Sequence, residues 1–151
     1  MNYVKAVAAA RADMVKVEKY GETTEGRELM LAYIATPQNL VRLEEIRQNN
    51  LSIAGVNKSA ASTENHPAIV WLSYNVHGNE TSSSEAAMQT LFALVDPTNT
   101  KTKEWLKNTV IIIDPCINPD GRDRYVNWFN SVSGKNMNPD PQSREHIEPW
   151  P

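Results

Sequence analysis

The chain has 151 residues, 40% of them apolar and 22% charged, and 15 Lys and Arg against 18 Asp and Glu leave a net charge of −3. That length suits about one domain, and the charge balance excludes a sequence-wide basic footprint for nucleic acid or for an anionic membrane surface. A lone cysteine, Cys116, excludes an intrachain disulfide framework and a multi-cysteine zinc ribbon, and no apolar run approaches the ~20 residues that span a bilayer.

In chain order, residues 3–11 are Ala-rich with few breakers and predict a short helix. Met14 to Tyr20 alternates, with Val15 and Val17 on one face and Lys16 and Glu18 on the other, the period of a half-buried strand. Gly21 to Arg27 has turn chemistry and residues 29–34 form a second strand, so the two read as a hairpin. Thr36-Pro37 starts a helix with Thr as cap; Leu40, Val41, Leu43 and Ile46 make its apolar stripe, and Asn49-Asn50 end it. Residues 52–67 turn small and polar, as a surface connection does.

Ala68-Ile69-Val70-Trp71-Leu72 is almost wholly apolar, the pattern of a strand covered on both faces. A Thr and Ser run at 81–84 can cap the next helix, which is apolar nearly all round from Ala86 to Val95 and therefore predicted to be buried. After Asp96-Pro97 comes a short amphipathic helix with Trp105 and Leu106, then a second covered strand, Thr109 to Ile113. Trp71 and Trp105 read as core or interface aromatics. Strands alternating with helices predict an α/β fold, a layered mixed β-sheet flanked by helices. Asn118-Pro119-Asp120-Gly121 reads as a turn, and residues 130–151 show no period. Trp150 stands there between two prolines.

The residues best placed for chemistry are His77 and Glu80, in His77-Gly78-Asn79-Glu80 at the exit of the first covered strand. An imidazole and a carboxylate three residues apart converge on one cation when the backbone between them turns, and zinc accepts both at about 2.0–2.2 Å. Ligands of open α/β sheets bind outside the carboxyl ends of the strands, where this motif lies. Gly78 is suited to a tight turn between the two. By itself His-x-x-Glu is weak, since a loop histidine is most often a surface group.

Three segments together are more specific: Tyr20-Gly21-Glu22-Thr23-Thr24-Glu25-Gly26-Arg27, then His77-Gly78-Asn79-Glu80, then Asn118-Pro119-Asp120-Gly121. In this order and on these strand ends they resemble the M14 family of zinc carboxypeptidases, over roughly residues 9–121. The resemblance implies that His77 and Glu80 are two of three protein ligands to a catalytic Zn²⁺. It implies further that residues 1–151 are part of a catalytic domain, with an ordered core at about 3–129 and an irregular tail at 130–151. The family's third ligand, its general base and its Asn–Arg clamp for the substrate's terminal carboxylate find no counterpart here, so this stretch alone is expected to be inactive. The substrate implied is a peptide or protein C-terminus. An acyl-amino-acid hydrolase of the same superfamily, and a non-catalytic domain with a relic metal site, stay open as alternatives.

The remaining candidates read as structural. His146 is expected to be a solvated loop histidine, and His66 to lie at the opposite edge of the sheet from His77. Arg122 and Arg124 fall near the family's oxyanion arginine but at a different spacing, and a salt bridge to Asp120 or Asp123 is the simpler expectation. Arg27 is expected to pair with a carboxylate and pin the hairpin, and Cys116 to be a small buried residue. An unpaired apolar strand edge would favour self-association. No signal peptide is legible after Met1, and the compartment stays open, relatives being often secreted or periplasmic.

Overall fold

The computed structural model describes residues 1–148, so Trp150 lies outside the described residues. Helix α1 (Asn2–Ala10) leads into the hairpin β1 (Val15–Glu22) and β2 (Glu28–Ile34). Next come α2 (Pro37–Leu40), α3 (Leu43–Ile53), β3 (Ala68–Ser73), α4 (Ser83–Val95), α5 (Thr100–Lys107), β4 (Thr109–Asp114) and α6 (Pro119–Val132). A 3-10 turn at Arg144–His146 follows. The four strands form one mixed sheet in the order β1-β2-β4-β3. β1/β2 and β2/β4 are antiparallel, while β3 and β4 run parallel. No helix among the described residues is long and apolar enough to cross a membrane.

Two layers cover the sheet because β2 and β4 alternate their side chains between its faces. On one face Ala32, Ile34, Ile111 and Ile113 pack against Val4 of α1, Leu91 and Leu94 of α4 and Leu106 of α5. On the other, Val110 meets Ile46 of α3, with Leu40, Leu43 and Ile69 around it. β4 is buried along nearly its whole length, as its apolar run predicts.

β3 is different. It carries an equally apolar sequence but is the edge strand, with Val70 38% and Trp71 57% exposed, so the expectation of a strand covered on both faces fails. α4 is likewise one-sided: Ala87, Leu91, Leu94 and Val95 are buried while Phe92 is exposed. Trp105 also faces outward on α5, and neither it nor Trp71 belongs to the core.

The α2–α3 segment departs from the single helix expected. Thr36 caps α2 as predicted, its hydroxyl accepting from the Asn39 N–H at 3.3 Å. The helix breaks after Leu40, and Val41 is exposed rather than part of the apolar stripe. Nor do Asn49 and Asn50 end α3. Both groups of the Asn49 side-chain amide are taken by the backbone of Ser62, so they do not compete with the helix. The stop is at Gly55, with φ +71°, where its N–H donates to the Ser52 carbonyl and that of Val56 to Leu51.

Candidate metal and substrate site

The carboxyl ends of the parallel pair β3 and β4 are joined beyond the sheet itself. The Tyr74 N–H donates to the Asp114 carbonyl at 2.9 Å, and the Ile117 N–H returns to the Tyr74 carbonyl at 3.0 Å. One residue further, Asn118 Nδ2 donates to the Val76 carbonyl at 3.1 Å. The loop that presents His77 is therefore tied to the segment entering α6.

Asn118-Pro119-Asp120-Gly121 is not a free turn but the first turn of α6. Asn118 is the N-cap, its Oδ1 accepting from the Gly121 N–H at 2.9 Å, and Pro119 occupies the first helical position. Gly78 packs directly on this turn. A Cβ built there would fall on the carbonyl group of Gly121, so glycine is needed for close backbone approach; it does not adopt a positive φ.

The third segment meets the other two. Asp120 Oδ1 accepts from Thr23 Oγ1 at 2.8 Å and from Arg27 Nη1 at 2.7 Å, and Arg27 Nη2 reaches Asp123 at 2.6 Å. Burial alone would push the Asp120 carboxyl up, but the hydrogen bonds from Thr23 and Arg27 outweigh it and hold it below the usual carboxylate range. Arg27 thus pins the hairpin as expected, and pins it to α6. The expected pairing of Arg122 and Arg124 with Asp120 or Asp123 does not occur, because Arg27 already occupies those carboxylates. Arg122 reaches Glu85 at 3.2 Å and Arg124 reaches Glu25 at 3.0 Å.

At the top of this junction His77 Nδ1 and Glu80 Oε1 stand 2.9 Å apart. The Glu80 N–H donates to the His77 carbonyl at 3.1 Å, closing the turn that makes the two side chains neighbours. Both are well exposed, and the His77 ring holds the Glu80 carboxyl below its ordinary range. At 2.9 Å the pair is a hydrogen bond. Two ligands of a tetrahedral zinc with bonds of about 2.0–2.2 Å stand about 3.3–3.6 Å apart, so the two side chains are neighbours that reach one ion by opening about half an ångström. Among the described residues no third His, Cys, Asp or Glu joins them.

His77 and Gly78 line a cleft of about 470 Å³ whose far wall is α6, with Arg124, Tyr125 and Trp128. Tyr125, Trp128 and Phe129 pack together, ring centroids 5.5–6.3 Å apart. The spacing Tyr125, Trp128, Phe129 is itself a helical signal, and α6 runs through it to Val132, three residues into the stretch from 130 expected to be irregular.

The other candidates lie elsewhere. His146 Nε2 contacts the Asn138 carbonyl at 2.5 Å and belongs to its own 3-10 turn. His66 precedes β3 at the opposite end from His77, its Nδ1 2.8 Å from Asn49 Nδ2. Cys116 is half-buried, and burial pushes its thiol up. Two buried polar residues near the strand exits have no counterpart in the sequence reading. Asp114 accepts from Tyr20 Oη at 2.7 Å, and burial raises its carboxyl above the usual range. Asn75 has a left-handed backbone with φ +58°.

A family model described as zinc carboxypeptidase matches residues 1–145. No curated protein sequence matches the chain. Among solved structures, carboxypeptidase A from Helicoverpa armigera is similar with a TM-score of 0.58 and 20% identity, over 82% of this chain and 24% of that one. A metallo-carboxypeptidase from Burkholderia cenocepacia gives 0.56 and 18%, over 80% and 26%. Bovine thrombin-activatable fibrinolysis inhibitor, solved in complex with tick carboxypeptidase inhibitor, gives 0.56 and 17%, over 83% and 31%. At these identities the likeness is one of fold, and the chain spans about a quarter to a third of the length of those structures.

Proposed function

The chain belongs to the zinc carboxypeptidase family, and from that premise we propose that His77 and Glu80 supply two of three protein ligands to a catalytic zinc in an enzyme that hydrolyses C-terminal peptide bonds. The observation that supports this reading is the pairing of His77 Nδ1 with Glu80 Oε1 at 2.9 Å, outside the carboxyl end of β3 and beside a cleft. When bound, zinc supplies an acidified water and polarises the scissile carbonyl.

The chain's own residues do the positioning. The turn closed by Glu80 N–H on the His77 carbonyl aligns the two ligands, and Gly78 seats that turn on α6. His77 Nδ1 is engaged with Glu80 in this structure, so holding a metal through both side chains exchanges that hydrogen bond for two metal bonds. The cleft offers the aromatic side chains of Tyr125 and Trp128 to a peptide approaching His77, beside Arg124, which is paired with Glu25, and the carboxylates of Asp120 and Glu148. A catalytic site uses three protein ligands, and the described residues bring two together, so residues 1–151 are expected to act as part of a larger catalytic domain and to be inactive alone. β3 also leaves one edge without a strand partner among the described residues, which favours pairing with a second copy; sedimentation of this stretch is expected to show dimers, and a clean monomer would remove that expectation.

Activity is tested on the intact protein with peptides that carry a free or an amidated C-terminus, alongside N-acyl amino acids. Release of the terminal residue only from the free peptides, abolished by His77→Ala, is expected. Cleavage of N-acyl amino acids alone would move the protein to the acyl-amino-acid hydrolase branch, and no hydrolysis of either would leave a relic site.

A further inference from the structure

Asn75 is 1% exposed and carries a backbone φ of +58°, a conformation that asparagine tolerates and most residues do not. Its polar groups are nearly all engaged. The backbone N–H donates to Ser83 Oγ at 2.7 Å, and Nδ2 donates to the His77 carbonyl at 2.7 Å. Oδ1 accepts from Ser84 Oγ at 2.8 Å and from Cys116 Sγ at 3.4 Å. One side chain thereby links the exit of β3, the first turn of α4, the exit of β4 and the His77 loop.

The contact with His77 is the informative one. The same carbonyl oxygen receives the Glu80 N–H at 3.1 Å, the bond that closes the His77–Glu80 turn. Asn75 therefore holds the acceptor on which the pairing of the two side chains depends. Of the Thr and Ser run at 81–84 expected to cap α4, the N-cap Ser82 makes no side-chain cap bond, and Ser83 and Ser84 serve Asn75. Glycine at 75 would satisfy the backbone conformation, but it would leave His77 with one donor fewer and the Ser84 hydroxyl without this acceptor. Backbone geometry alone does not account for the side chain.

We infer that Asn75 is a positioning residue that locks the His77–Glu80 turn into its metal-binding form, an inference that rests on the ligand reading of that pair. Asn75→Gly keeps the left-handed backbone and deletes the amide; Asn75→Asp keeps Oδ1 and deletes the donor to His77. In the intact protein, zinc affinity is measured by chelator competition, and amide exchange of residues 76–80 is followed in the metal-free form. Both variants are expected to bind zinc about tenfold or more weakly, in the range typical of groups that orient metal ligands, and the Glu80 amide is expected to exchange faster while β4 stays protected. Leu91→Ala, which weakens the core remotely, is expected to leave zinc affinity unchanged; an equal loss there would reduce Asn75 to a stability role. Ser84→Ala, a milder change that removes one bond orienting the amide, is expected to act in the same direction, and it decides the matter if the Asn75 variants do not fold. Wild-type zinc affinity in the folded variants overturns the inference. If the unaltered protein binds no zinc, the ligand reading has failed, and the exchange rate of the Glu80 amide alone then judges Asn75: an unchanged rate overturns it.

Discussion

β3 and β4 lie side by side and parallel, and they are written in nearly the same alphabet: Ala-Ile-Val-Trp-Leu-Ser against Thr-Val-Ile-Ile-Ile-Asp. β4 sits between β2 and β3 with helices on both faces, and Val110 to Asp114 are all buried. β3 has β4 on one side and no strand on the other among the described residues, and only Ile69 and Leu72 are half-buried. Apolar sequence states what a strand can tolerate around it; its place in the sheet decides what it gets. Their exits differ in a complementary way. The exposed strand opens into the loop with His77 and Glu80, and the buried one runs into the helix cap on which that loop rests.

Substitutions can break this contrast. Ile113→Ala, in the buried strand, is expected to cost about 2–5 kcal/mol, read by denaturant unfolding; a loss under 1 kcal/mol would mean that β4 is not the centre of the core. Gly78→Ala forces a methyl against the backbone of Gly121 and is expected to cost about 1–3 kcal/mol. It should also displace the His77 loop, visible as changed amide shifts at both strand exits. Asn118→Ala removes a helix cap and the bond to Val76, and about 1 kcal/mol is expected.

Asp114 sharpens the contrast through pH. Its folded carboxyl lies above the ordinary range because it is buried, so the folded state holds its proton more tightly than the unfolded chain. The stability linked to this group is complete below the ordinary carboxylate range and is lost as pH rises through the raised value. Asp114→Asn should therefore gain on the wild type with rising pH, read as melting temperatures across a pH series; parallel curves would remove this account of the residue. The smallest effect belongs to the edge strand: Val70→Thr is expected to stay within about 0.5 kcal/mol.

Much of this architecture was legible. Alternation at Val15 to Glu18, the Thr36-Pro37 start and the run at Thr109 to Ile113 each express a local rule that the fold obeys. The errors share a cause, which is that the deciding partner lies far away in sequence. Trp71 is exposed because no strand flanks it, and Asn49 stays helical because Ser62 occupies its amide. Arg122 and Arg124 lose Asp120 and Asp123 to Arg27, nearly a hundred positions earlier. The placement of His77 and Glu80 followed from the strand exit and their spacing. Asn75 gave no such sign, since a buried polar residue is recognisable only once its partners from α4 and β4 are in place.

The pairing of His77 with Glu80 as metal ligands is tested most directly by zinc stoichiometry and affinity in the intact protein, its His77→Ala variant and its His146→Ala variant. One tightly bound zinc is expected in the unaltered protein and in His146→Ala, whose imidazole is occupied at Asn138, with binding lost in His77→Ala. Undiminished zinc affinity in His77→Ala would contradict the account.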